Sequence, residues 1–160
     1  MIQRPQTALL FLSAILYAVM ALAPIWSISI GATSVTLSAC KAVLTNDLDG
    51  VNIIAKESSN IYLLVCLVCG AILSLVSIFF FKDRPLQAKL SALNSLLITT
   101  FVGSTIFLAI PKAQSLIMTK DVGQYHWGFY LSLVVIVSNF IANKLIRKDE
   151  ALVKSVDRIR

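Results

Sequence analysis

Charge is what this sequence has little of. Only 14% of its 160 residues are Asp, Glu, Lys or Arg, 58% are apolar, and the mean hydropathy is +0.84. A soluble domain of this length carries charge on about a quarter of its residues, so the composition excludes that class and points to a membrane protein. Histidine is almost absent as well. His126 is the only one, with no carboxylate beside it in its own helix, so an imidazole-centred metal or acid/base site is not expected. Three cysteines, Cys40, Cys66 and Cys69, are too few for a four-ligand zinc site. There is no phosphate-binding glycine loop, no nucleophile–base pair and no carboxylate dyad. No catalytic residue, metal or cofactor is expected.

What is abundant is apolar sequence, gathered in four runs at about 7–25, 61–81, 90–110 and 127–146. Each is close to the roughly 20 residues a helix needs to cross a hydrocarbon core about 30 Å thick. None contains Asp, Glu or Arg, and Lys144 lies near enough to a run's end to snorkel outward. A charge at the bilayer centre costs on the order of 2.5–3.5 kcal/mol, so its absence favours membrane spans over soluble core helices. The first run imitates a secretory signal, with Arg4 before it and Ala21-Leu22-Ala23 near its end. Pro24 just after that triplet and the length of the run argue for a retained helix. The chain is therefore read as one membrane domain over 1–160, a four-transmembrane-helix bundle of the all-α membrane class.

Charge asymmetry chooses the orientation. Arg4, Lys82, Arg84, Lys89, Lys144, Arg147, Lys148, Lys154, Arg158 and Arg160 fall on the side of the termini and the middle loop. Lys41, Lys56, Lys112 and Lys120 fall on the other side, where Asp47, Asp49, Glu57 and Asp121 cancel them. The whole net charge of +6 thus lies on one face, which the positive-inside rule makes cytoplasmic. Trp26, Tyr62, Tyr125, His126, Trp127 and Tyr130 fall near the opposite ends of the runs, as an interfacial aromatic belt does.

The loop over 26–60 is too long to be a simple connection. Alternation in "SISI" and "SVTLSA", with turn residues at "GAT" and "NDLDG", predicts two to four short strands forming a small extracytoplasmic sheet. After the third run, Pro111 reads as a helix stop followed by coil or one short helix. In the middle loop, Asp83 is placed to cap the next helix and Pro85 to occupy its first turn.

Within the runs, small residues at four-residue spacing predict packing ridges: Ser91, Ser95, Thr99 and Gly103 in the third, Cys66, Gly70 and Ser74 in the second. Asn94, Asn139 and Asn143 fall at comparable depth. A carboxamide alone in hydrocarbon is costly, so Asn94 is expected to hydrogen-bond Asn139 or Asn143. Cys66-Leu67-Val68-Cys69 is a C-x-x-C, which invites a thiol-disulfide or quinone-linked redox reading. Such an enzyme needs a second cysteine pair to pass electrons onward, and none is present.

The closing segment 147–160 reads as a cytoplasmic extension of the fourth helix. Leu145, Leu152, Val156 and Ile159 make an apolar stripe, flanked by the opposite-sign pairs Arg147–Glu150, Glu150–Lys154 and Lys154–Asp157. Each pair contributes only about 0.2–0.5 kcal/mol, but together they favour a helix. The tail lacks aromatic interleaving, so a nucleic-acid partner is not expected.

"MIQRPQT" at the start, "FKDRPLQAKLSALN" in the middle loop and "NKLIRKDEALVKSVDRIR" at the end together resemble the bacterial four-helix membrane proteins of the domain of unknown function 4293 family. The resemblance spans essentially the whole chain and implies a Gram-negative inner-membrane protein. It implies no activity. Its motif residues here are Gln3, Arg4, Arg84, Leu86, Gln87, Leu90, Leu93, Asn94, Asn139, Arg147, Lys148, Asp149, Glu150, Asp157, Arg158 and Arg160. Taken together, the expectation is a non-enzymatic structural or accessory membrane protein. Its contacts with lipid or a protein partner would run through Arg4, Arg84, Arg147, Lys148, Lys154, Arg158 and Arg160. The redox protein built on Cys66 and Cys69 is the alternative.

Overall fold

The computed structural model describes residues 5–48, 51–81, 83–118 and 121–157. Four helical rods and one small antiparallel sheet account for them. In chain order they are α1 (Pro5–Leu22), β1 (Pro24–Ile30), β2 (Thr33–Ser38), β3 (Lys41–Leu48), β4 (Val51–Ser59), α2 (Ile61–Phe79), α3 (Arg84–Ser104), a π turn (Thr105–Ala109), α4 (Ile110–Ile117), β5 (Gln124–Tyr125) and α5 (Trp127–Asp157). The stretches Pro5–Leu22, Ile61–Phe79, Pro85–Ile117 and Trp127–Leu152 are each long and apolar enough to cross a membrane.

The sheet returns the chain from α1 to α2, and shorter connections turn it from α2 to α3 and from α4 to α5, so successive rods run antiparallel; α1 packs on α2 and α5 while α3 packs on the same two. The result is an up-and-down bundle with α1 and α3 on one diagonal. Its polarity is inverted relative to a soluble bundle. Gln87, Ser91, Asn94, Ile98, Phe101 and Thr105 of the third rod point inward and are buried, while Leu93, Leu96, Phe107 and Leu108 are exposed. On α2, Ile61, Val65, Val68, Ile72 and Phe79 face outward; on α5, Leu133, Val134, Val137 and Phe140 do. Apolar surface this continuous would be penalised in water and is favoured against lipid, which identifies a multi-pass membrane protein.

The sheet sits at one end of the bundle, in the order β4-β3-β2-β1-β5. Strands β1 and β2 meet through a two-residue turn in which Ile30 pairs Thr33. Gly31 there has φ +59° while Ala32 stays at negative φ, the II′ geometry that asks for glycine first and suits the twist of the strands. Ile25, Trp26, Ile28, Val35 and Leu37 turn their side chains into one core with Tyr17, Met20, Leu63, Leu67, Phe101 and Val135 of the bundle. The sheet is thus continuous with the helical core. Its free edge, β4, carries a bulge at Ala55, skipped between the pairs Leu44–Lys56 and Thr45–Ile54, with the charged Lys56 beside it. Both features discourage pairing with another strand.

Several boundaries differ from the sequence expectation. The first run breaks at Leu22, not at residue 25, because Pro24 restricts Ala23 and opens β1. Trp26 is consequently buried in the sheet core at 2% exposure and does not join an aromatic belt. The third run starts at Arg84 and does not stop at Pro111. Inside an α-helix that proline would remove a hydrogen bond and crowd the carbonyl four residues back. The wider π turn ahead of it, closed by Ile110 N–H donating to Thr105 O, resets the helix so that Pro111 falls in the first turn of α4. Asp83 occupies the cap position of α3, but its side chain makes no capping bond.

The row Ser91, Ser95, Thr99 and Gly103 does not form a packing ridge. Ser91 is buried, Thr99 is exposed, and a Cβ at Gly103 would touch nothing within 4 Å. Four residues overshoot a full turn by about 40°, so the row drifts about 120° round the helix over three steps. The inward face instead follows alternating three- and four-residue steps. The row on α2 is shorter and drifts less: Gly70 and Ser74 are buried and Cys66 is half-buried.

Candidate functional site: a buried polar layer and a basic end

The bundle interior divides into two halves. Toward the sheet it is mainly apolar, filled by Met20, Leu63, Leu67, Ile98, Phe101 and Val135, and the buried hydroxyls of Thr105 and Ser132 there are each bonded to a carbonyl of the preceding turn. Toward the termini it is lined by polar side chains: Gln6 and Ser13 of α1, Ser74 and Ser77 of α2, Gln87, Ser91 and Asn94 of α3, and Ser138 and Asn139 of α5. Each of these is exposed by 5% or less. None of these side chains carries a formal charge.

Tyr17 and Asn94 join the halves across the α1–α3 diagonal. The Tyr17 hydroxyl donates to Asn94 Oδ1 at 2.8 Å, and Asn94 Nδ2 donates to Ser74 Oγ at 2.6 Å. Asn139 Oδ1 lies 3.5 Å from the same Nδ2, the outer limit of a hydrogen bond. One carboxamide thus ties α1, α2 and α3 together and reaches α5. The Tyr17 ring can come so close because residue 70 has no side chain: a Cβ there would lie 2.6 Å from Tyr17 Cζ. Further toward the termini, Gln87 Nε2 donates to the Ser77 carbonyl at 3.1 Å, linking α3 to α2.

Of the three asparagines singled out in the sequence, the fold brings Asn94 and Asn139 together. Asn143 is turned elsewhere, and its Oδ1 accepts a bond from Arg147 Nε at 3.2 Å. Sequence reasoning did not place Tyr17 in this network, because a tyrosine within an apolar run reads as an apolar body. Ser74 and Ser91 had been read as small packing residues; the Ser74 hydroxyl accepts from Asn94, and the Ser91 hydroxyl is buried in the same layer.

At the end nearest this layer, Lys89, Lys144, Arg147 and Lys148 are exposed. Arg4, Arg158 and Arg160 lie outside the described residues, as do the side chains of Arg84 and Lys154, whose backbones belong to α3 and α5. At the sheet end, several basic groups are held by neighbours. Lys41 pairs Glu57 at 2.7 Å across β3 and β4, and Lys112 Nζ donates to the Ser59 carbonyl at 2.6 Å, fastening α4 to the end of β4. Ser27 Oγ and His126 Nε2, 2.7 Å apart, fasten β1 to the start of α5.

Cys40, Cys66 and Cys69 are free thiols. Cys66 packs against the apolar core, and Cys69, one turn on, is exposed on the bundle's flank. Among the described residues no three His, Cys, Asp or Glu side chains group as metal ligands. A groove of about 280 Å³ between the sheet and α4 is lined by Ile30, Thr33, Leu44, Leu116, Ile117 and Met118, far along the bundle from the polar layer.

Compared with known proteins, the chain matches no curated sequence. A family model described as Domain of unknown function (DUF4293) matches residues 2–159.

Proposed function

The chain belongs to that family of unknown function, and from this premise we propose that it is a non-enzymatic accessory protein of the bacterial inner membrane. Both termini and the α2–α3 connection face the cytoplasm, and the sheet faces outward. The observation that carries the reading is the exposure of Lys89, Lys144, Arg147 and Lys148 at the end of the bundle opposite the sheet, on the side to which the sequence assigns the net charge of +6. Positively charged loops are retained on the cytoplasmic side during insertion, and anionic headgroups there attract the same residues, each contributing about 1 kcal/mol. The continuous helix α5, which runs through Asp157, extends this basic surface beyond the apolar run.

Contacts with lipid headgroups or a cytoplasmic protein run through this face, with Arg4, Arg84, Arg147, Lys148, Lys154, Arg158 and Arg160 as its cations. The exposure of Arg147 and Lys148 supports that role. Purification in mild detergent followed by mass spectrometry tests it. The combined variant Lys148→Glu, Arg158→Glu and Arg160→Glu is expected to lose the proteins or anionic lipids that accompany the native chain, while still inserting into the membrane. An unchanged set of companions would contradict the proposal.

A further inference from the structure

The polar half of the core contains hydrogen-bonding atoms that the protein itself does not satisfy. Among the described residues, Asn139 Nδ2, Ser91 Oγ, Ser77 Oγ and Gln87 Oε1 are each buried without a partner. The four side chains are no more than 1% exposed. They lie along one stretch of the bundle interior. Asn139 lies 3.5 Å from Asn94, Ser91 and Gln87 continue the inward face of α3 below Asn94, and the Gln87 amide is bonded to the Ser77 backbone. At 1.5 Å rise per residue, Gln87 to Asn94 spans about 10 Å, a third of the hydrocarbon thickness.

Buried polar atoms are nearly always paired, and in proteins an ordered water is the common partner where side chains do not reach one another. The chemistry of the set fits water. Asn139 Nδ2 can only donate, Gln87 Oε1 can only accept, and the two serine hydroxyls can do either. A metal cation or an anion would sit here without a compensating charge, which a low-dielectric interior disfavours strongly. We propose that the layer framed by Asn139, Ser91, Ser77 and Gln87 is a binding site for ordered water within the membrane half nearest the termini. The site is a dead end. Above Tyr17 and Asn94 the interior is closed by Ile98, Phe101, Leu67 and Met20, all buried and apolar, so the hydration does not continue to the sheet.

Radiolytic hydroxyl labelling of the intact chain in lipid nanodiscs, read by mass spectrometry, tests this, because radicals form from water bound beside a side chain even where bulk solvent is absent. Leu10 and Leu67 are the same residue type, at 0% and 1% exposure, one in each half of the core. Leu10 packs with Ala142 and Ile146 and against Ala88, within the polar half. Leu10 is expected to label several-fold faster than Leu67, and the double variant Ser91→Ala with Asn139→Leu is expected to bring it down to the Leu67 rate. If that pair does not fold, Ser91→Ala alone is expected to lower the ratio part of the way. Equal rates in the native chain would overturn the proposal. So would fast Leu10 labelling that the variants leave unchanged, since the water would then not be held by these groups.

Discussion

The Asn94 side chain meets Tyr17, Ser74 and Asn139 in the interior, and its value lies in what it would leave behind. Removing it strands the Tyr17 and Ser74 hydroxyls at a depth where no bulk water can replace it. A leucine at position 94 is therefore expected to cost about 1–3 kcal/mol, the range for orphaned buried groups, read as a lowered thermal midpoint in detergent. Tyr17→Phe should cost less, since Asn94 keeps Ser74. Gly70 gives a steric counterpart. Leucine there must displace the Tyr17 ring and is expected to cost about 1–3 kcal/mol, whereas Gly103→Ala, which meets open space within a helix, should hold or slightly raise the midpoint. At this scale the sequence was partly legible. Asn94 and Asn139 stand out because carboxamides are scarce in apolar runs, and serines do not, because their role depends on which face of the helix they occupy.

The elements were legible where hydrophobic length alone decides and illegible where two rods or a rod and a sheet negotiate a junction. Four spans could be counted from the apolar runs, and four strands appear where two to four were expected. A fifth, Gln124–Tyr125, is only two residues and exists because Trp26 and Ser27 offer it a free edge. No local pattern encodes that. In sequence Pro24 falls inside the first apolar run, while Pro111 reads as a helix stop. The first ends a helix and the second does not, because the π turn at Thr105–Ala109 absorbs it. The junction of sheet and bundle has its own sensitive point. A Cβ on Gly128 would lie 2.5 Å from the Pro24 carbonyl, so valine there is expected to push α5 from β1. Limited proteolysis should then cut within 24–60 faster than in the native chain, with the helices still intact by circular dichroism. Equal cutting would mean that the sheet is held by other contacts.

For the whole molecule, composition and charge distribution carry more than any motif. Apolar outward faces and a polar inner layer are legible as a membrane protein once the fold shows which face is which. The proposed orientation follows from where the basic residues fall relative to the sheet. It governs the rest, because the lipid or partner contacts require the basic end to face the cytoplasm. Its most direct test uses two single cysteines in a chain whose own Cys40, Cys66 and Cys69 are replaced by Ser or Ala. Ala32→Cys lies at the exposed tip of the β1–β2 turn and Ala151→Cys on the exposed surface of α5. A membrane-impermeant maleimide added to cells with a permeabilised outer membrane is expected to label position 32 at once and position 151 only after the inner membrane is broken. Labelling of position 151 before lysis, with position 32 protected, would contradict the orientation and with it the proposed role of the basic face.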